Sequence, residues 1–253
     1  MGRKQTDQDW EQWGKSNPYF GVISDPKFLG SSLTTEVKQE FFNSGKSHAD
    51  ELFRVIDSLL GQNFKPESSL DFGCGVGRIT QALAAHTDSV LGVDVSLSML
   101  KEAEVNLPTG LKSKVTFKDA EEELRSGKQY DLVHSYIVLQ HIPKAEGYKI
   151  TRQLLTKISP GGVAALHYTF AAHVPRSERA IQLMRYHLPP LHQGLNIARG
   201  KAARTPMMHI YDYNLNKLLL IYQEFKMLDL KLQITRHGEY SGVFIIAQKP
   251  DLG

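Results

Sequence analysis

The chain has 253 residues, of which 41% are hydrophobic and 23% are charged, an ordinary composition for a globular domain with a substantial core. Its formal net charge of +3 is too small to indicate nucleic-acid binding, which usually requires a concentrated basic face. No stretch approaches the ~20 apolar residues of a membrane helix, and the single cysteine excludes an internal disulfide. These features predict a cytoplasmic domain of enzyme size with neither a membrane nor a nucleic-acid partner.

The chain begins with an aromatic segment of weak periodicity, in which Trp10 and Trp13 indicate a short helix. We predict that residues 1–45 form an arm that folds over the functional site as a lid. The next segment, Lys46–Leu60, has apolar residues at helical spacing and ends at Gly61, so it predicts an amphipathic helix. We expect residues 46–253 to form one domain.

Beyond this helix, strand-like and helix-like segments alternate. Five strands are predicted at Ser68–Phe72, Ser89–Asp94, Lys114–Lys118, Tyr130–Ser135 and Gly162–Phe170. Helices are predicted between them at Gly77–His86, Ser96–Asn106 and Glu146–Ile158. Strands separated by helices form βαβ units, so we expect a parallel sheet covered by helices on both faces.

The alternation stops at a proline-containing segment, residues 171–206, which we predict to be a helical lid insertion. Asn214–Phe225 then has helical periodicity, while Met227–Thr235 and Gly242–Lys249 have the pattern of two strands joined by a turn. An antiparallel pair at the edge of a parallel sheet is common. The predicted fold is therefore α/β with a mixed sheet.

Three glycines, Gly73, Gly75 and Gly77, follow the first predicted strand at alternate positions, where a ligand can approach the backbone closely. A dinucleotide fingerprint needs Gly or Ala at the position that Arg78 occupies here. In addition, the carboxylate of Asp71, directly before the loop, would repel a pyrophosphate. A carboxylate at that position suits a cation, such as the ammonium group of an amino acid.

Acidic residues also end the next two predicted strands. Asp94 is placed to accept hydrogen bonds from both hydroxyls of a ribose, and Asp119 from the exocyclic amine of an adenine. The predicted ligand is therefore an amino acid joined to a nucleoside, with no phosphate.

From about Leu52 to Pro250 the sequence resembles the class I S-adenosylmethionine-dependent methyltransferases. The segments that carry the resemblance are Leu70–Gly77, Gly92–Ser96, Asp119–Ala120, Tyr130–Ser135, Leu139–Pro143 and Leu154–Gly162. The resemblance implies a Rossmann-like seven-stranded sheet in the order 3-2-1-4-5-7-6, with strand 7 antiparallel.

It also implies a site for S-adenosylmethionine, with S-adenosylhomocysteine as the product. By resemblance, Asp71 and the glycines frame the methionine part, Asp94 takes the ribose, and Met99 packs near the adenine. The full set of implied cofactor-binding residues is Asp71, Gly73, Cys74, Gly75, Arg78, Asp94, Val95, Met99, Asp119, Ala120, Ser135, Tyr136 and Gln140.

Methyl transfer to oxygen benefits from a general base, and histidine suits neutral pH. His141 is the first candidate because it follows the fourth strand, where the acceptor reacts in the family; His167 and His209 are the other candidates. No metal is expected, since His187 and His192 lack a carboxylate partner in the sequence pattern.

The predicted function is methylation of a small molecule, at oxygen. Six basic residues against one acidic residue between Ala171 and Tyr211 favour an acidic acceptor. An RNA or protein methyltransferase, a cofactor-binding subunit without catalysis and a dehydrogenase remain alternatives, although Asp71 and Arg78 argue against the last. The sequence does not indicate an oligomeric state.

Overall fold

The computed structural model describes residues 3–175, 194, 208–227 and 229–251. Most of the insertion predicted at 171–206, including its basic residues, lies outside the described residues. Among the helices that are described, none has both the length and the apolar character needed to cross a membrane.

A seven-stranded sheet forms the centre of the domain. Its strands are β1 (Ser68–Phe72), β2 (Ser89–Asp94), β3 (Val115–Asp119), β4 (Tyr130–Ser135), β5 (Ile158–Ala172), β6 (Leu230–His237) and β7 (Tyr240–Gln248). Their order is β3-β2-β1-β4-β5-β7-β6. The first five strands pair in parallel, and β7 runs antiparallel to both β5 and β6. The predicted fold class, strand order and antiparallel seventh strand are confirmed.

Helices cover both faces of this sheet. They are α1 (Arg3–Ser16), α2 (Pro18–Val22), α3 (Thr35–Leu60), α4 (Arg78–Leu83), α5 (Leu97–Asn106), α6 (Ala120–Arg125), α7 (Lys144–Thr156) and α8 (Leu215–Glu224). Successive strand residues point to opposite faces, so Leu132 joins the apolar cluster under α3 and α4, whereas Val133 joins the cluster under α7 and α8. Burial on both faces explains why these strands are nearly continuous apolar runs.

The N-terminal arm packs on α5 rather than on the sheet. Its apolar cluster joins Trp13 and Tyr19 to Phe41 of α3 and Met99 of α5. The Tyr19 hydroxyl donates to Glu102 (2.7 Å) and also lies 2.8 Å from the Asn106 amide oxygen. These contacts join α1 and α2 to the first helix beyond β2.

The structure differs from the sequence-based prediction at several element boundaries, most clearly at α3 and β5. Helix α3 begins at Thr35 rather than Lys46, because Thr34 caps it and its first turns pack on the arm through sparse apolar residues. Strand β5 extends to Ala172, two residues into the predicted insertion. The short helix α6 was not predicted, although Asp119 before three glutamates is a typical helix start.

Candidate active site

A cavity of about 590 Å³ lies at the carboxyl ends of the parallel strands. In open parallel sheets this edge is where ligands bind. Its walls come from the loops after β1, β2 and β4, from the arm, from α3, from residues 208–210 and from the end of β6. The cavity therefore combines segments from both ends of the chain.

The loop after β1 is shaped by its glycines. Gly73, Gly75 and Gly77 have φ angles of 77°, 53° and 81°, a region that other residues rarely adopt. A Cβ atom at Gly73 would overlap the side chain of Val138, and one at Gly75 would come within 2.7 Å of Val22. The predicted glycine requirement thus has two causes, backbone conformation and close approach.

Asp94 ties this loop to the start of α5. Its carboxylate accepts hydrogen bonds from the backbone N–H groups of Gly75 and Ser96, each at 2.9 Å. Burial raises the pKa of Asp94 to about 6, although the same amide hydrogen bonds act in the opposite direction. Each carboxylate oxygen of Asp94 accepts one backbone amide and keeps a further lone pair. These lone pairs can accept hydrogen bonds from hydroxyl groups of a ligand in the cavity.

Asp71 lines the cavity on the other side of the glycine loop and is 2% exposed. One carboxylate oxygen accepts a 2.6 Å hydrogen bond from the Thr80 hydroxyl, and the other lies 2.8 Å from Nδ1 of His134. Asp71 and His134 are register partners on β1 and β4, which explains their proximity. The site therefore holds two buried carboxylates, both supported by protein donors.

Arg78 brings a buried cation to the same wall. Its Nη1 donates to the Ser44 hydroxyl (3.1 Å), while its buried Nε has no hydrogen-bond partner among the described residues. Burial lowers the pKa of Arg78, against the influence of Tyr136 and Asp71. A guanidinium with unused donors suits an anionic group such as a carboxylate. Burial also raises the pKa of the Cys74 thiol well above its ordinary value, so this cavity residue stays a thiol.

The end of β4 turns sharply into the cavity. Ile137 has a φ of 59°, an unusual conformation for a β-branched residue, and lines the cavity beside Tyr136. The Tyr136 ring stacks on Phe244 (centroids 5.6 Å apart) and lies 4.2 Å from the ring of His48. The strained residue thus lies next to a ring that is fixed on two sides.

His141 lines the cavity with its tautomer fixed. Its Nδ1 donates to the backbone carbonyl of His209 (2.6 Å), so Nε2 carries the lone pair, 3.2 Å from the side-chain amide nitrogen of Gln140. Burial lowers the pKa of His141 to about 4, against the raising influence of the His209 carbonyl. The ring is therefore neutral at neutral pH, and the edge of the Trp10 ring packs against it.

The arm is also fixed to the start of α5 through Glu11. Its carboxylate accepts hydrogen bonds from the Ser96 hydroxyl and from both the backbone and the hydroxyl of Ser98. Burial alone would raise the pKa of Glu11, but the hydrogen bonds from Ser98 and Ser96 outweigh burial and hold it at about 2. Thr6, Asp7 and Trp10 of α1 line the cavity.

Most of the predicted site residues lie together in this cavity. Those that line it are Asp71, Gly73, Cys74, Gly75, Arg78, Asp94, Val95, Met99, Ala120, Tyr136, Gln140 and His141.

Four predicted residues do not line it. Asp119 caps α6 by accepting from the backbone N–H groups of Glu121 and Glu122. The Ser135 hydroxyl donates to the carbonyl of Phe72, and the buried His167 lies 2.8 Å from the Thr235 hydroxyl. His209 lines a much smaller pocket next to His141.

The sequence analysis missed His134, His48, Ile137 and His237. His237, the last residue of β6, lines the cavity, and its buried Nε2 has no hydrogen-bond partner among the described residues. Nothing local in the sequence distinguishes these residues, because their roles depend on pairing between distant segments. Across residues 3–175, 208–227 and 229–251, no three His, Cys, Asp or Glu side chains converge to hold a metal. The absence of a metal stays a prediction.

A sequence model described as a methyltransferase domain matches residues 46–205 of this chain. The chain belongs to the methyltransferase-domain family. This membership confirms the predicted relation to the class I S-adenosylmethionine-dependent methyltransferases, and it agrees with the strand order of the sheet.

Curated relatives of this methyltransferase align over shorter stretches. An uncharacterized methyltransferase of Synechocystis is 32% identical over 98 residues, 38% of this chain and 44% of the relative. The ubiquinone biosynthesis O-methyltransferase of Leptothrix cholodnii is 26% identical over 117 residues, 45% of this chain and 47% of the relative. The chain thus spans less than half the length of these curated relatives.

Two solved structures resemble this chain over nearly its whole length. Magnesium protoporphyrin IX methyltransferase of Synechocystis, with bound S-adenosylhomocysteine, covers 98% of this chain and 100% of its own, at a TM-score of 0.64 and 17% identity. The N-methyltransferase NodS of Bradyrhizobium japonicum, also with S-adenosylhomocysteine, covers 97% of this chain and 98% of its own. Its TM-score is 0.56 and its sequence identity is 14%. At these identities the likeness establishes the fold.

Proposed function

We propose that this methyltransferase uses S-adenosylmethionine to methylate a small-molecule acceptor at oxygen. The observation that carries the proposal is the pair of buried carboxylates, Asp71 and Asp94, on either side of a glycine loop in one cavity. The curated relatives named ubiquinone biosynthesis O-methyltransferase support a small acceptor and oxygen as the methylated atom.

The donors and acceptors of the cavity fit this cofactor. Asp94 accepts from the ribose hydroxyls, Asp71 faces the ammonium group, and the unused donors of Arg78 suit the carboxylate of the methionine part. Met99 and Ala120 supply apolar contact for the adenine. When bound, S-adenosylmethionine supplies a methyl group already activated for displacement.

The remaining task of the protein is to position the acceptor, exclude water and remove a proton. Tyr136 and Ile137 form the wall at the end of β4, and the arm covers the opposite side as the predicted lid. His141 accepts the hydroxyl proton at Nε2 as the acceptor oxygen bonds to the methyl carbon. Its fixed tautomer and neutral state support this role, and the acceptor hydroxyl has to replace the Gln140 amide, 3.2 Å from Nε2, at that lone pair. We further propose a cytoplasmic location and an acidic acceptor, as expected from the sequence.

Calorimetric titration tests the cofactor. We expect saturable binding of S-adenosylmethionine and S-adenosylhomocysteine and no binding of NAD, because the pyrophosphate of NAD would meet the carboxylate of Asp71. Absence of binding by both adenosyl ligands would refute the proposal, and tight binding of NAD would indicate a dehydrogenase instead.

Substitution of His141 tests the general base. We expect His141→Asn to lower kcat by about 10²–10⁴-fold while the affinity for S-adenosylhomocysteine changes little, because a base acts only in the chemical step. The measurement is release of S-adenosylhomocysteine with a panel of phenolic and carboxylic acceptors.

His237→Asn is the matched comparison, since His237 lines the same cavity. A loss of kcat in His237→Asn alone would transfer the role of base from His141 to His237. Equal, unchanged rates in both variants would exclude a histidine base at these two positions.

A further inference from the structure

A connected row of polar side chains lies behind Asp71. The Thr80 hydroxyl and Nδ1 of His134 contact the two oxygens of Asp71, and Nε2 of His134 lies 3.0 Å from Nε2 of His48. The four residues come from four elements, α4, β4, α3 and β1. Thr80 and His134 are fully buried and Asp71 is 2% exposed, so the two hydrogen bonds to Asp71 are inside the protein, whereas His48 at the other end of the row is partly exposed.

The hydrogen bonds of this row run in one direction, from His48 through His134 to Asp71. A carboxylate only accepts hydrogen bonds, so Nδ1 of His134 must be the donor to Asp71. In neutral His134 the other nitrogen, Nε2, is an acceptor, and it therefore receives the Nε2–H of His48. Burial, followed by the neighbouring His134, lowers the pKa of His48 to about 2, so His48 is neutral. His48 thereby fixes the tautomer of His134, and His134 fixes the hydrogen bond to Asp71.

His134 occupies a buried position of β4 among apolar residues. The preceding residues of β4, Leu132 and Val133, are fully buried and apolar, and the ring of His134 also packs near Phe244. Burying a polar ring there has a desolvation cost that an aliphatic side chain would avoid. The histidine is therefore explained by the hydrogen bond that it donates to Asp71, rather than by packing.

We propose that His134 is a positioning residue that holds the Asp71 carboxylate in the orientation that receives the cofactor's ammonium group, with His48 fixing the tautomer of His134. This inference rests on the proposed function, because the ammonium group belongs to the methionine part of S-adenosylmethionine. With one protein donor on each oxygen, the carboxylate cannot rotate freely, and Asp71 lines the cavity with a lone pair left on each oxygen.

Two ligands separate this role from a merely structural one. S-adenosylhomocysteine carries the amino-acid part, whereas 5′-methylthioadenosine has the same nucleoside and sulfur without it. In His134→Val we expect calorimetry to give about tenfold weaker binding of S-adenosylhomocysteine, as for loss of a hydrogen bond to a charged group, and less than twofold change for 5′-methylthioadenosine.

His134→Asn is the rescue variant, because its side-chain amide can donate to Asp71 in place of Nδ1. We expect it to bind S-adenosylhomocysteine within about threefold of the unsubstituted protein, since the donor is kept. If thermal unfolding shows that His134→Val is not folded, His48→Leu is measured instead. We expect this variant to lose less affinity for S-adenosylhomocysteine and to bind 5′-methylthioadenosine as before.

Equal weakening for both ligands, or no weakening for either, would overturn the inference while leaving the cofactor assignment intact. Failure of the unsubstituted protein to bind S-adenosylhomocysteine would instead refute the proposed function.

Discussion

Replacing Asp94 with alanine is expected to weaken binding of S-adenosylhomocysteine by at least about 100-fold, measured by calorimetry. The carboxylate accepts two backbone amides, from Gly75 and Ser96, and is the proposed acceptor for the ribose. Hydrogen bonds to a charged group contribute roughly 1.5–3 kcal/mol each. Losing the two hydrogen bonds from the ribose hydroxyls therefore accounts for the expected weakening of binding by about 100-fold. The substitution also leaves two backbone N–H groups without this partner, that of Gly75 in the glycine loop and that of Ser96 at the start of α5.

Asp88→Ala is the control, since Asp88 is exposed just before β2 and contributes nothing to the cavity. We expect its affinity to equal that of the unsubstituted protein. The pKa of about 6 adds a second signature, because a protonated Asp94 loses acceptor capacity, and binding therefore weakens as pH falls through 6. Asp94→Asn should abolish that pH dependence. An Asp94→Ala variant that binds normally would exclude Asp94 from the ribose site.

The free energy of unfolding is expected to fall by roughly 3 kcal/mol per pH unit between about pH 6 and pH 4. Burial, the largest cause in each case, lowers the pKa values of His48, His141 and His167 to about 2, 4 and 3. In the unfolded chain each takes up a proton near pH 6.5, so acid favours unfolding. Asp94 acts oppositely, because its raised pKa lets the folded state keep one proton, and the net uptake on unfolding is about two protons.

Urea unfolding of the ligand-free protein at a series of pH values measures this slope. Replacing the partly buried His48 by glutamine removes one titrating group and is expected to reduce the slope by about 1.4 kcal/mol per pH unit. His173→Gln is the matched control, since His173 is exposed. A slope that stays the same in His48→Gln would mean that His48 is charged in the folded protein.

The parallel strands and α5 could be predicted from local sequence because their signals are local. The runs that form β1, β2 and β4 were placed with the bounds that the structure has, and Ser96 does cap α5 by accepting from Met99. The start of α3 could not be placed in this way. Its first turns contact the arm and α4, so its buried residues, such as Phe41 and Gly45, do not produce a core-facing periodicity.

The same distinction applies to the site. Asp71, Asp94 and the glycines occupy fixed positions at strand ends, so the topology of the sheet brings them together. The contact between His48 and His134 joins residues 86 positions apart, and the sequence holds no local signal for it. Asp119 is a different case: its strand-end position predicts a ligand contact, and the structure shows that one of its carboxylate oxygens also caps the helix that starts directly after it.

The covering of the cavity by α1 and α2 has a mechanical consequence. The arm joins the rest of the chain only through residues 23–34, and α3, where that connection ends, is anchored under the sheet by Leu52, Phe53 and Ile56. Any opening on this side must therefore bend the chain in that connection and separate Trp13 and Tyr19 from Met99, at roughly 1.5–3 kcal/mol per exposed side chain. Substitutions in α1 or α2 can adjust how firmly the cavity is closed while the sheet and its strand-end carboxylates stay unchanged.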